Sequence, residues 1–179
     1  METSEHLMIN QIKTNQGDTI YELSNDSKVL LVFLRHFGCT FCREGLTDLL
    51  KIKDQLFQEG ITPIIVHQSN EHYASRLLKV YELADLHRIS DPHLELYEHF
   101  NLQKGKFQQI FGPKMIWRFF AAGIIKGHLV GKEMGDGWQM PGVFLIDKGK
   151  VINKYIHKYA GDRPDYLTLA LEPKPVVQH

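Results

Sequence analysis

The sequence predicts an α/β fold in which a mixed central sheet is flanked by helices, and three observations lead to this prediction. Short apolar runs alternate with amphipathic stretches through the first half of the chain, which is typical of parallel βαβ units. Near the C-terminus, two runs of alternating apolar and polar residues enclose Asp147-Lys148-Gly149, which indicates an antiparallel hairpin. A last amphipathic stretch, RPDYLTLALE, predicts a closing helix.

The first half of the chain supplies the parallel part of the sheet. KVLLVFLR is rich in branched apolar residues and predicts a strand that is buried on both faces. REGLTDLLKIKDQLFQEG places leucines at helical spacing and reaches Gly60, a residue typical of helix ends. ITPIIVH (residues 61–67) predicts the second strand. SNEHYASRLLKVYEL predicts a helix that begins at Ser69 or Asn70, and HRISDP (residues 87–92) predicts a short third strand followed by a helical turn.

A segment rich in glycine and aromatic residues, 104–139, predicts a helical and aromatic insertion before the hairpin. Its aromatic residues at 111–120, with Trp117 and Trp138, either line a groove for a partner or an apolar substrate, or belong to the core or a dimer contact. Residues 172–179 form a proline-containing tail. The whole chain is therefore expected to be a single domain with the order β-α-β-α-β-β-α, which is the order of thioredoxin-like folds.

The composition argues against several classes of function. The 21 basic residues balance the 21 acidic ones, so no electrostatic attraction to nucleic acid or an anionic membrane is expected. No apolar run is long enough for a transmembrane helix, and no basic and apolar leader is visible. We therefore expect a cytoplasmic protein. Two cysteines in a chain of 179 residues are too few for a disulfide scaffold, and in a reducing compartment such a pair is typical of catalysis or metal binding.

Both cysteines lie in one C-x-x-C motif, Cys39 and Cys42. If the first strand ends at Phe37-Gly38 and a helix begins near Cys42, Cys39 lies at the helix N-terminus. Free N–H groups and the helix dipole stabilise a thiolate there, and the thiolate is the reactive form. Cys42, one turn further on, lies within disulfide reach. Gly38 is expected to allow the tight turn. This spacing indicates a redox dithiol that passes through a Cys39–Cys42 disulfide and needs no other cofactor.

The motif has three other interpretations. A zinc site needs two further ligands, and with no third cysteine these would have to be histidines, of which His67 and His72 are the only close pair. Haem attachment needs a histidine directly after the second cysteine, where this chain has Arg43. Two inert buried thiols remain an open alternative. No metal is expected.

Several residues near the motif are candidates for supporting roles. Arg35 and Arg43 flank the cysteines and could stabilise the thiolate, although Arg35 could equally belong to an ordinary salt bridge. His36 could donate a proton near pH 7 or simply lie at the surface. Asp162 is expected to cap the closing helix.

Pro141 stands directly before the first strand of the hairpin. In thioredoxin-like folds a cis-proline holds the loop that faces the C-x-x-C motif, and the residue before it offers its backbone to a bound peptide or thiol. Met140 and Pro141 are therefore expected to line the site, with a cis bond between them. Thr40 and Phe41, between the two cysteines, influence the reduction potential in a way that the sequence does not specify.

FLRHFGCTFCRE and PGVFLIDKGKVINKYIHKYAGDRPD resemble the peroxiredoxin-like 2 branch of the AhpC/TSA redoxin family, and the likeness extends over residues 17–171. The resemblance implies a thioredoxin-like fold and thiol-dependent oxidoreductase or antioxidant activity. By position, it implies that Cys39 is the nucleophile and Cys42 the resolving cysteine.

The chain departs from the family at one motif. Peroxiredoxins hold the peroxide with P-x-x-x-T-x-x-C, and the corresponding places before Cys39 hold Val32 and His36; before Cys42 they hold Arg35 and Cys39. Dithiol–disulfide exchange with a protein or small-molecule substrate is therefore favoured. A thiol peroxidase recycled by thioredoxin or glutathione is the second hypothesis, and a non-catalytic binding module that uses the aromatic segment is the third. A homodimer is compatible with each of these three hypotheses.

Overall fold

The core of the fold is one five-stranded sheet with the order β3-β2-β1-β4-β5. The computed structural model describes residues 9–106 and 135–172. β1 pairs in parallel with β2, and β2 pairs in parallel with β3. β4 runs antiparallel to β1, and β5 runs antiparallel to β4. The strands are Lys28–Phe33, Ile61–His67, His87–Ser90, Gly142–Asp147 and Lys150–Ile156 for β1 to β5. The predicted mixed sheet is confirmed.

Helices lie on both faces of this sheet. In chain order, α1 to α5 are Ile20–Asp26, Thr40–Gln58, Glu71–Val80, Glu95–His99 and Tyr166–Leu171. α2 ends just before Gly60, which has φ +67°, as its sequence predicts. Asn70 caps α3. The short helix α1 is not in the predicted order, although its capping box, formed by Thr19 and Glu22, is readable in the sequence.

The central strand β1 separates two apolar layers. Leu30 and Val32 pack with residues of α2, α3 and α5 on one face. Val29, Leu31 and Phe33 pack on the other face, in the layer that includes residues of α1 and α4. Side chains alternate between the faces of a strand, so a strand covered on both sides must be apolar throughout. This confirms the prediction of a doubly buried strand.

The end of β1 differs from the prediction. β1 ends at Phe33 rather than at Phe37-Gly38, because its antiparallel partner β4 begins only at Gly142, opposite Phe33. Gly38 lies in the loop that follows, and its φ is not positive, so the turn does not depend on the left-handed conformation of glycine.

Asp162 does not cap the closing helix. The N-cap of α5 is Asp165, whose side chain accepts a hydrogen bond from the N–H of Thr168. Asp162 accepts hydrogen bonds from the Tyr155 hydroxyl at 2.7 Å and from the Lys158 N–H at 2.8 Å. It therefore closes the loop between β5 and α5.

Part of the predicted insertion and tail lies outside the described residues. This holds for the aromatic residues at 111–120, including Trp117, and for the tail beyond residue 172. Within residues 9–106 and 135–172, no helix is long and apolar enough to cross a membrane.

Candidate dithiol site

The C-x-x-C motif lies where β1 passes into α2. Cys39 is the N-cap residue of α2, with φ −78° and ψ 122°, and the helix starts at Thr40, two residues before Cys42. Both cysteines are free thiols and each is 7% exposed. The Cys42 side chain has the largest effect on the pKa of Cys39, so the two thiols are close neighbours. Two neighbouring sulfurs are what an exchange between dithiol and disulfide requires.

The two thiols are made chemically unequal by their surroundings. The hydrogen bond from Cys42 lowers the pKa of Cys39 to about 6 against the opposing effect of burial, and Arg35 and the N–H groups of Cys42 and Phe41 lower it further. The same hydrogen bond, together with burial, raises the pKa of Cys42 well above its usual value. At neutral pH Cys39 is a thiolate and Cys42 is a protonated donor to it.

The Arg35 side chain places a positive charge beside this thiolate. It is 7% exposed, and its Nη1 donates to the Cys39 Sγ at 3.8 Å. Its Nε donates to the Gly137 carbonyl at 2.7 Å, and its Nη2 donates to the same oxygen. No carboxylate of residues 9–106 or 135–172 forms an ion pair with Arg35. The structure therefore places the Arg35 guanidinium beside the Cys39 sulfur and not in an ordinary salt bridge with a described carboxylate.

The loop from Gly135 to Gln139 holds the Gly137 carbonyl in place. The Gln68 side chain accepts from the Asp136 N–H at 2.6 Å and donates to the Arg35 carbonyl. Gly135 has φ +94°, and a Cβ there would lie 2.6 Å from the Gln68 Cβ, so only glycine fits. No local motif in the sequence marks Gln68 or Gly137.

His36 and Arg43 lie beside the motif in surroundings that differ from those of Arg35. Burial, with the charges of Arg35 and Arg43, lowers the pKa of His36 to about 4. His36 is therefore neutral at pH 7, which argues against the proton-donor role, one of the two alternatives for this residue. The Arg43 Nε donates to the Phe37 carbonyl at 2.7 Å, so Arg43 fixes the loop before the helix.

The bond between Met140 and Pro141 is trans, and the expected cis-proline is wrong. The trans form continues the sheet, because the Pro141 carbonyl accepts the His157 N–H at 3.3 Å. The Met140 N–H donates to the Gln103 carbonyl at 3.2 Å, and the Met140 carbonyl accepts from the Gln139 side chain at 3.3 Å. The backbone N–H and carbonyl of Met140 thus both form hydrogen bonds within the chain.

The other predicted lining residues fall on two sides of the dithiol. Thr40 is the first residue of α2, and Phe41 is 5% exposed. Phe41, Cys42 and Pro141 line a small cleft of about 20 Å³, room for about one water molecule, that is partly open to solvent. Gly38 and Thr40 are not among its lining residues. Where the chain is described, no group of three or more histidine, cysteine, aspartate or glutamate residues could hold a metal ion.

Comparisons with known proteins agree with this fold. Residues 48–160, more than half of the chain, match the family described as AhpC/TSA antioxidant enzyme. The chain is 33% identical over 87 residues to bovine Peroxiredoxin-like 2C, covering 48% of this chain and 37% of that protein. It is 27% identical over 159 residues to the Arabidopsis thaliana protein named "Thioredoxin-like protein AAED1, chloroplastic", covering 81% and 61%.

A crystal structure of the peroxidoxin BcpB from Mycobacterium tuberculosis has the same fold. Its TM-score is 0.55 at 16% sequence identity, with 84% of this chain and 82% of that one covered. The chain spans little more than a third of the mammalian relatives that it matches. The family match begins at Asp48, after both cysteines, so the C-x-x-C motif is read from this chain alone.

Proposed function

This chain belongs to the AhpC/TSA antioxidant enzyme family, and we propose that it is a thiol–disulfide oxidoreductase in which Cys39 attacks and Cys42 resolves. The observation that carries the proposal is the unequal pair of thiols at the start of α2. The pKa of Cys39 is lowered to about 6, while the pKa of Cys42 is raised. A two-step exchange reaction needs a stable thiolate that attacks first and a second thiol nearby that resolves the mixed disulfide.

The first step uses the Cys39 thiolate. It attacks one sulfur of a substrate disulfide, a bond forms between Cys39 and that sulfur, and the other substrate sulfur leaves as a thiolate. Cys42 then loses its proton and attacks the Cys39 Sγ, which expels the second substrate thiolate. The substrate gains two electrons and the protein is left with a Cys39–Cys42 disulfide.

The proposal extends to the partners of this reaction. The substrate is a protein or small-molecule disulfide, and thioredoxin or glutathione returns the Cys39–Cys42 disulfide to the dithiol. The redox-active disulfide serves as the only cofactor, in a cytoplasmic protein that does not bind nucleic acid or membranes. A homodimer is compatible with this scheme. Support comes from the reduced thiols of the site and from the balanced charge of the chain.

The proposal is tested by the pH dependence of Cys39 alkylation. We expect the reaction with iodoacetamide to follow an apparent pKa of about 6, far below the value of about 8.5 for an unperturbed thiol. Arg35→Met should raise this pKa, because it removes the positive charge beside the Cys39 Sγ. Arg76→Met, at an exposed position on α3, is the matched control. An apparent pKa near 8.5 in the wild-type protein would refute the proposal.

A thiol peroxidase is the second candidate, and family membership favours it. In this reaction the Cys39 thiolate attacks a hydroperoxide and becomes a sulfenic acid, and Cys42 then displaces water to form the disulfide. The expected place of the peroxide-binding proline holds Val32, which is 2% exposed and packed in the core. Stopped-flow oxidation by hydrogen peroxide separates the candidates. We expect a rate similar to that of free cysteine, and a much faster rate would favour the peroxidase.

A further inference from the structure

The position of Arg35 beside the dithiol depends on a loop that is distant from it in the sequence. The Arg35 Nη1 reaches the Cys39 Sγ at 3.8 Å, while its Nε and Nη2 both donate to the Gly137 carbonyl. Fixing a long, flexible side chain such as that of arginine costs conformational entropy, so it stays in one place only where its contacts hold it. The Gly137 carbonyl therefore directs this guanidinium towards the sulfur.

The group that holds the Arg35 side chain is neutral. A carboxylate in place of the Gly137 carbonyl would cancel much of the positive charge that stabilises the thiolate. The same loop does contain a carboxylate, that of Asp136, but it pairs with Lys104 at 2.7 Å and accepts from the Trp138 N–H at 2.8 Å. The loop thus fixes the guanidinium through a carbonyl and leaves its charge available to the sulfur.

One buried amide, that of Gln68, joins this loop to the segment that follows β1. Gln68 comes directly after β2 and is 5% exposed. Its Oε1 accepts from the Asp136 N–H at 2.6 Å, and its Nε2 donates to the Asp136 carbonyl at 3.5 Å and to the Arg35 carbonyl. Arg35 is thus held at both ends, its backbone by Gln68 and its guanidinium by Gly137, the residue after Asp136.

The burial of Gln68 links these contacts to each other. A buried amide that loses its hydrogen-bond partners destabilises the fold, so a shift of the loop away from Gln68 is unfavourable. The loop also lies close to this side chain, because a Cβ added at Gly135, where φ is +94°, would lie 2.6 Å from the Gln68 Cβ. Gln68 therefore limits where the Gly137 carbonyl lies and, through it, where the Arg35 guanidinium lies.

We propose that Gln68 is a positioning residue of the exchange reaction, which holds the loop of residues 135–139 and thereby keeps the Arg35 guanidinium against the Cys39 sulfur. The inference rests on the proposed dithiol function and adds the residue that fixes its positive charge. Gln68 acts through Arg35 and takes no part in the exchange of bonds. Without the amide, the guanidinium spends less time beside the sulfur, and the thiolate loses that part of its stabilisation.

The test is a double-mutant cycle in the full chain, measured by the pH dependence of Cys39 alkylation with iodoacetamide. Gln68→Met removes the donor and the acceptor of the amide with little change in side-chain volume. We expect the apparent pKa of Cys39 to rise by about half a unit to one unit, which slows alkylation at pH 6 by about two- to fivefold.

The second half of the cycle asks whether Gln68 acts through Arg35. In an Arg35→Met background, Gln68→Met should leave the pKa of Cys39 where Arg35→Met alone puts it, because no guanidinium is left to position. Gln55→Met, the same change at an exposed position on α2, is the matched control and should not change the pKa. An effect of Gln68 on the fold alone would not depend on the presence of Arg35.

The outcomes separate this inference from the proposed function. A low pKa in the wild type that is unchanged in Gln68→Met would overturn the inference alone, and so would equal shifts in the two backgrounds. A wild-type pKa near 8.5, that of an unperturbed thiol, would overturn the proposed function as well.

A second variant changes the same contact from the side of the loop. If circular dichroism shows that Gln68→Met does not fold, Gly135→Ala is used, because its Cβ would push the loop away from Gln68. A rise in the pKa of Cys39 that disappears in the Arg35→Met background supports the inference, and an unchanged pKa contradicts it.

Discussion

Cys42→Ser is expected to leave the first step intact and to stop the second, so that a mixed disulfide accumulates on Cys39. With 5,5′-dithiobis(2-nitrobenzoate), the wild-type dithiol should release two thionitrobenzoate ions per chain, and Cys42→Ser should release one and retain the other. Cys39→Ser leaves only Cys42, whose pKa is still raised by burial although the contribution of the Cys39 side chain is removed. At pH 7 we expect it to react about 100-fold more slowly than the wild type, because the reacting species is the thiolate.

The absorbance of released thionitrobenzoate measures both the stoichiometry and the rate. In Cys42→Ser the hydrogen bond that most lowers the pKa of Cys39 comes from a serine hydroxyl instead of a thiol. Its reaction should therefore be compared over pH rather than at one pH. If Cys39→Ser reacted as fast as Cys42→Ser at pH 7, the assignment of the nucleophile would be reversed. Two ions released by Cys42→Ser would show that Cys42 is not needed for resolution.

The parts of the fold that the sequence predicts well are those in which local pattern and burial agree. The run at residues 61–67 becomes β2 with the same bounds, because a strand covered on both faces needs a mostly apolar run. Lys148 and Gly149 both adopt positive φ at the hairpin turn, as that turn requires. The short α1 and the end of β1 at Phe33 depend on contacts with distant segments, so a local pattern marks them weakly.

The candidate site likewise has one part that the sequence predicts and one part that it does not. Arg35, Cys39 and Cys42 are neighbours in the sequence, so the position of the motif before a helix was enough to bring them together. Gln68 and Gly137 reach this site from other parts of the chain, and no spacing rule connects them with the cysteines. The expectation of a cis-proline at Pro141 came from the fold class alone, and the bond is trans.

The two sides of the dithiol then have distinct properties that neither cysteine shows by itself. On one side, the Arg35 guanidinium stabilises negative charge on Cys39. On the other side, contact with Cys39 and burial raise the pKa of Cys42, so this thiol stays protonated at neutral pH. The pair therefore holds one charged and one neutral sulfur.

Acid is expected to destabilise the fold between about pH 6.5 and pH 4, because buried histidines must stay neutral. Burial lowers the pKa of His36, His67 and His157 to about 4, whereas histidines of the unfolded chain titrate near 6.5. Between these values the unfolded state binds more protons than the native state, so the free energy of unfolding falls as the pH falls. The total loss by pH 4 is expected to be of the order of several kcal/mol, a large part of typical stabilities.

Urea unfolding at a series of pH values measures this loss. His67→Gln removes one of the three titrations and keeps a donor for the Ser69 carbonyl, which the His67 ring contacts at 2.9 Å. We expect it to lower the stability at pH 7 and to make the decline below pH 6.5 shallower. His72→Gln, at an exposed position on α3, should leave the decline unchanged. A decline equally steep in His67→Gln and the wild type would show that protonation of the buried His67 does not contribute to the acid response.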